Sequence, residues 1–144
     1  MVIIGVTLGL TALNVLPDRQ GVLRGEAERI ALLLQLARDE AIVRNRQVAF
    51  EAEPNGYRFL VRDERQWQLV TRDDLLRERA FKHGPLLLSV EPPGIAAPAA
   101  DPSSAALRIV FGREPVDKPF VLTLAEGGRQ VAIRADGIGH FSVE

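Results

Sequence analysis

The first sixteen residues, MVIIGVTLGLTALNVL, carry no charged side chain, and the run stops at Pro17-Asp18-Arg19. So apolar a stretch is not stable in water and must be buried in lipid or against other helices. As a helix it extends about 24 Å at 1.5 Å per residue, short of the roughly 30 Å hydrocarbon core of a bilayer. It has neither the basic residues before it nor the small-x-small site after it that mark a secretory signal. The run therefore reads as a transmembrane helix without its first turn or two. Val2, Ile3, Ile4, Val6, Leu8, Leu10, Leu13 and Leu16 are its large apolar side chains, the ones that lipid would cover.

Asn14, Pro17, Gly21 and Gly25 are weak helix formers or breakers, so the reading places a fragile helical junction here. It divides the chain into an anchor and junction, residues 1–24, and a head, residues 25–144. Helical character then returns: Leu23, Ala27, Ile30, Leu34, Ala37 and Ala41 recur at spacings of three and four and form one apolar stripe, with Arg24, Glu28, Arg38 and Asp39 off it. This predicts one amphipathic helix ending near Arg46. Glu40 and Arg44 stand in the favourable i,i+4 order.

After Gln47 the period changes to two. Val48, Phe50 and Ala52 alternate with Ala49 and Glu51, Pro54-Asn55-Gly56 turns the chain, and Tyr57, Phe59 and Val61 alternate with Arg58, Leu60 and Arg62. Trp67, Leu69 and Val70 resume after a polar turn at 63–66. Residues 74–79 read as a short helical turn, and 86–90 as a strand buried on both sides. Residues 92–106, PPGIAAPAADPSSAA, lack a periodic apolar face and read as a long mobile loop. Strands follow at 107–111, 120–124, 131–134 and 140–143, separated by turn signals at Gly112, Gly127-Gly128 and Asp136-Gly137. The expectation is an α+β fold, one long helix on about seven or eight short antiparallel strands.

Chemistry is sparse. His83 and His140 have no zinc-site spacing, no nucleophile elbow or phosphate-binding loop occurs, and the absence of cysteine removes thiolate sites. Asp73-Asp74 and the 136–139 turn lack the oxygen count of a calcium loop. No catalytic residue, cofactor or metal is expected. Eighteen basic residues against nineteen acidic ones leave a formal charge of −1, so no overall field attracts phosphate backbones. The nearest approach to a base-stacking surface is Tyr57-Arg58-Phe59 with Arg62 and Trp67, but strand alternation sends Tyr57 and Phe59 to the opposite face from the arginines. The other arginines read as a solvated, mixed-charge surface.

In order and spacing these segments resemble one family, the type II secretion minor pseudopilins of the H type. The carriers are Leu36-Ala37-Arg38-Asp39-Glu40-Ala41-Ile42, Gly56-Tyr57-Arg58-Phe59 with Trp67, Ile109-Val110-Phe111-Gly112-Arg113-Glu114, Pro119-Phe120-Val121-Leu122, and Asp136-Gly137-Ile138-Gly139. The family's Gly-Phe junction for the prepilin peptidase and the glutamate that follows it have no counterpart here, because Met1 falls within the apolar stretch. The resemblance implies a pilin-like fold and a non-enzymatic subunit held in the inner membrane with its head in the periplasm. It also implies entry into a pseudopilus, at or near the tip, that helps export folded proteins. Its implied partners are the other minor pseudopilins, the major pseudopilin, the inner-membrane secretion platform and membrane lipid, with no nucleic acid. The alternative is a type IV pilus minor pilin, some of which bind DNA. Neutral charge and the lack of a C-terminal basic cluster argue against DNA binding.

Overall fold

The computed structural model describes residues 19–71, 73–82, 84–97, 106–114 and 116–144. Among the described residues one helix, α1 (Arg19–Val43), leads into ten strands. In chain order these are β1 (Val48–Glu53), β2 (Gly56–Asp63), β3 (Gln66–Leu69), β4 (Arg79–Ala80), β5 (Leu87–Glu91), β6 (Ala96–Ala97), β7 (Leu107–Phe111), β8 (Phe120–Glu126), β9 (Arg129–Ala135) and β10 (Phe141–Val143), with a 3-10 turn at Pro93–Ile95. The larger sheet runs β3-β2-β1-β7-β6 with β4 also on β2, and the smaller runs β10-β9-β8-β5. All pairings are antiparallel.

The apolar periodicity of α1 explains its seat. Leu23, Ala27, Ile30, Leu34, Ala37 and Ala41 are each at most 2% exposed, and the helix rests on β9, β10 and β1. Ala at three of these positions lets the helix approach the sheets closely, while Leu23, Ile30 and Leu34 fill the space between. Full burial of each of those larger side chains contributes about 1.5–3 kcal/mol. Phe50, Phe59, Ile109 and Phe111 from the larger sheet meet Leu122, Leu124, Val131 and Ile133 from the smaller one in the same core. Phe50, Tyr57, Phe59 and Phe81 form an aromatic cluster, with neighbouring centroids 5.5–6.3 Å apart.

Several local expectations change. The helix runs without a break through Gly21 and Gly25; Gly25 has open space around it, so tertiary packing of the stripe outweighs the local cost of glycine. Leu23, which precedes the expected boundary at residue 24, is buried in the core cluster. Asn14 and Pro17 lie outside the described residues. The stretch 74–79 is not a helical turn. Asp73 Oδ1 accepts from the backbone N–H of Leu75 at 2.8 Å and of Leu76 at 3.1 Å, an Asx-type turn that leads into β4.

Strand β5 is not buried on both sides. It is the edge of the smaller sheet, and Leu87 is 69% exposed while Val90 is 8% exposed. The start of the expected 92–106 loop is ordered by pairing: Ala96 faces Ile109 and Ala97 faces Arg108. Residues 98–105 lie outside the described residues. The strand count exceeds the expected seven or eight because β4 and β6, two residues each, carry too short a pattern to read. Among the described residues no helix is long and apolar enough to cross a membrane.

Candidate assembly surfaces

The proposed anchor, Val2, Ile3, Ile4, Val6, Leu8, Leu10, Leu13 and Leu16, lies outside the described residues. Below the head, the first turns of α1 are tied to the smaller sheet. Gln20 donates to the Gln130 carbonyl and Arg24 to the Val143 carbonyl, each at 3.5 Å. Arg24 pairs with Glu28 at 3.3 Å, and Arg44, just past the helix end, pairs with Glu40 at 2.8 Å. Leu32, 68% exposed, lines a shallow groove together with Arg24, Glu28, Gln35, Phe141 and Val143.

At the far end of α1 an Asp-Gly-Ile-Gly turn closes the fold. Asp136 Oδ1 accepts from the backbone N–H of Ile138 at 2.9 Å and of His140 at 3.0 Å, and Oδ2 lies 2.9 Å from His140 Nδ1. The two backbone donors, with a smaller contribution from the His140 ring, hold the Asp136 carboxyl below its ordinary pKa. Asp117 N–H donates to the Gly137 carbonyl at 2.7 Å, which ties the preceding loop to the turn. Gly139 has φ +107°, and a Cβ there would stand 2.8 Å from Arg38 Nη1. The helix-end motif around Arg38 and the closing turn, far apart in sequence, are thus packed together. The turn leaves Ile138 61% exposed at its tip.

The third surface is the outer face of the larger sheet. Register places Glu51 on β1 opposite both Arg58 on β2 and Arg108 on β7. Glu51 and Arg108 are each 3% exposed. Arg108 donates to Glu51 Oε2 through Nη2 at 2.6 Å and Nε at 3.0 Å. Arg58 donates to Oε1 through Nε at 2.9 Å and also through Nη2. Burial alone raises the pKa of Glu51, but the hydrogen bonds and charges of the two guanidinium groups outweigh it and hold the carboxyl below its ordinary value. The Trp67 ring lies 5.4 Å from the Arg108 guanidinium and 6.0 Å from that of Arg62.

Tyr57 and Phe59 point to the helix side, away from these arginines, and are 2% and 0% exposed. Burial, with a smaller contribution from the Glu26 charge, raises the Tyr57 pKa to about 12. Neither candidate calcium stretch gathers a ligand set, and among the described residues no three His, Asp or Glu side chains come together as metal ligands. His83 lies outside the described residues, and the His140 side chain is 82% exposed. The Arg58–Glu51–Arg108 row, in which Glu51 and Arg108 are buried and Arg58 is partly exposed, was missed in the sequence, where the arginines read as a solvated surface. Its only sequence signal is that Glu51 shares a strand face with the small Ala49, and that signal acquires meaning only once both neighbouring strands are known.

A model of the family described as "Type II transport protein GspH" matches residues 26–139. Among solved structures, one of the minor pseudopilin EpsH from the type 2 secretion system of Vibrio cholerae superposes with a TM-score of 0.60 at 19% identity, covering 85% of this chain and 95% of that one. A crystal structure of the minor pseudopilin EPSH from the same organism gives 0.65 at 17% identity, covering 88% and 98%. At this identity the likeness concerns the fold. No curated protein matches the chain.

Proposed function

Since the chain belongs to the GspH family of type II transport proteins, we propose that it is a structural minor pseudopilin of a type II secretion system. The observation that carries this reading is the match of the family model across nearly the whole head, on a fold of one helix over two antiparallel sheets. In this reading the apolar N-terminal run holds the subunit in the inner membrane, with the head in the periplasm. The subunit then joins the pseudopilus at or near its tip and helps move folded proteins across the outer membrane. Its work is assembly rather than catalysis, and its partners are the other minor pseudopilins, the major pseudopilin and the inner-membrane platform.

The anchor and head divide the labour. A uniform apolar helix packs on many similar helices and supplies affinity, whereas the head's shaped and charged surfaces discriminate among neighbours. The reading is tested by deleting the gene in its native host and following secreted proteins. Folded cargo is expected to accumulate in the periplasm and to be exported again when the full chain is restored. Unchanged export in the deletion strain would remove the reading.

A further inference from the structure

The outer face of the larger sheet has an aromatic and cationic corner that the core does not use. Arg62 stands opposite Trp67 and Leu60 opposite Leu69 in the β2–β3 register, so all four share one face. Leu60 and its β1 neighbour Ala49 are 7% and 0% exposed, whereas Leu69 remains 39% exposed and Arg62 is exposed beside the half-buried Trp67. Charge is uneven across this face. Glu51 is taken up by Arg58 and Arg108, and Glu53 and Glu78 act on Arg58 at the other end. At the Trp67 end, Arg62 makes no ion pair among the described residues; its side chain donates only to the neutral Gln47 Oε1 at 3.3 Å.

Trp and Arg are the residue types that most often dominate protein interfaces, and a guanidinium backed by an indole is already oriented to receive a carboxylate in bidentate fashion. Building on the pseudopilin reading above, we propose that the Arg62–Trp67–Leu69 corner docks a neighbouring protein subunit that presents a carboxylate beside an aliphatic side chain. Arg62 pairs with the carboxylate, and Leu69 with the Trp67 edge covers the aliphatic group. Nucleic acid fits less well. There is one indole, and of the two guanidinium groups that flank it Arg108 is already neutralised by Glu51, which leaves little positive charge here to track a phosphate backbone.

Trp67 is the chain's one tryptophan, so its emission reports on this corner directly. The experiment titrates the full chain, in detergent micelles, with the purified heads of the other pseudopilins of the same system. One of them is expected to shift the Trp67 emission, with affinity that falls as salt rises. Arg62→Glu is expected to weaken that binding by about tenfold or more, and Arg62→Lys by less. Leu69→Ala gives a second, uncharged test of the same corner, and thermal unfolding of each variant confirms that the fold is kept. If a head binds the wild type, Arg62→Glu and Leu69→Ala equally, the corner is not the docking surface, though the assembly reading stands. If none of the heads binds, this proposal falls, while the assembly reading, in which the anchor helix supplies the affinity, is decided by the deletion strain. An emission shift caused by the chain's own concentration, or by duplex DNA in place of the heads, would assign the corner to a second copy or to nucleic acid and overturn the proposal.

Discussion

Glu51 and Arg108, 57 residues apart in sequence, face each other across the β1–β7 ladder as a buried ion pair, with Arg108 Nη2 2.6 Å from Glu51 Oε2. The side chains are 3% and 4% exposed, so neither charge is relieved by water. Arg58 satisfies the second carboxylate oxygen. One carboxylate therefore ties three adjacent strands, β2, β1 and β7, and a one-residue slip of either neighbour would carry its arginine to the opposite face of the sheet.

Removing one partner of such a pair strands the other. Glu51→Ala leaves the Arg108 guanidinium buried and without its carboxylate, and is expected to lower stability by about 3–5 kcal/mol. Replacing Glu51 and Arg108 together by Leu and Met is expected to recover much of that loss, because the uncompensated charge is gone. Urea unfolding of the single and double variants makes the comparison; equal losses in the two would mean that the pair contributes no coupling.

The same pair sets a pH dependence. The Glu51 pKa is lowered in the folded protein from an ordinary value of about 4.5. A group with a depressed folded pKa contributes stability that is fully present above its unfolded pKa and is lost as pH falls through the folded one. Stability should therefore hold above about pH 5 and decline on acidification below about 4.5. Asp136 and Glu144 are also lowered and share in this decline. The part due to Glu51 is the difference between the wild type and Glu51→Gln, whose acid slope is expected to be shallower. Parallel stability–pH curves for the two would contradict the assignment.

The two glycines of the closing turn should not be equivalent. Gly137 (φ +85°) has the Asp117 backbone carbonyl where a Cβ would go, whereas the atom facing Gly139 (φ +107°) is the end of the flexible Arg38 side chain. Both substitutions by Ala strain the backbone, at about 1–3 kcal/mol, but only Gly139→Ala can be relieved by moving a side chain. Gly137→Ala is expected to be the more destabilising in thermal unfolding, and the reverse order would show that the Asp117 loop yields more readily than Arg38.

Legibility in the sequence followed periodicity. The helix stripe and most strands could be read because apolar side chains recur at three-to-four or at two, and burial follows that recurrence in Ile30 and Leu34 as in Phe50 and Phe59. What escaped was set by position in the sheets. Leu87 and Leu88 look like a doubly buried strand, but the smaller sheet packs only one face on the core, as the alternating burial of β8 and β9 also shows, and Leu87 on the other face is left in solvent. Glu51 looks like a solvated outer-face residue until the arginines of both neighbouring strands are brought over it. Arg38 and Gly139 meet only in the folded chain, and no spacing in the sequence announces that contact.

Leu23 is 2% exposed and belongs to the central core, and the polar ties of this turn, Gln20 to Gln130 and Arg24 to Val143, reach the smaller sheet. A head starting at Arg19 keeps the whole stripe from Leu23 to Ala41, whereas one starting at Glu26 loses its first core side chain and both ties. Loss of a buried Leu costs about 2–5 kcal/mol when its neighbours cannot close the gap, while exposed hydrogen bonds at 3.5 Å add little. The chain 19–144 is therefore expected to unfold in one cooperative transition, and 26–144 to do so at a lower urea midpoint. Leu34→Ala, which empties a fully buried position of the same stripe, is expected to match that loss, and Leu32→Ala, at 68% exposure, to stay within about 0.5 kcal/mol of the parent. Equal midpoints for the two truncations would place the first turns of α1 outside the head and restore the boundary at residue 24.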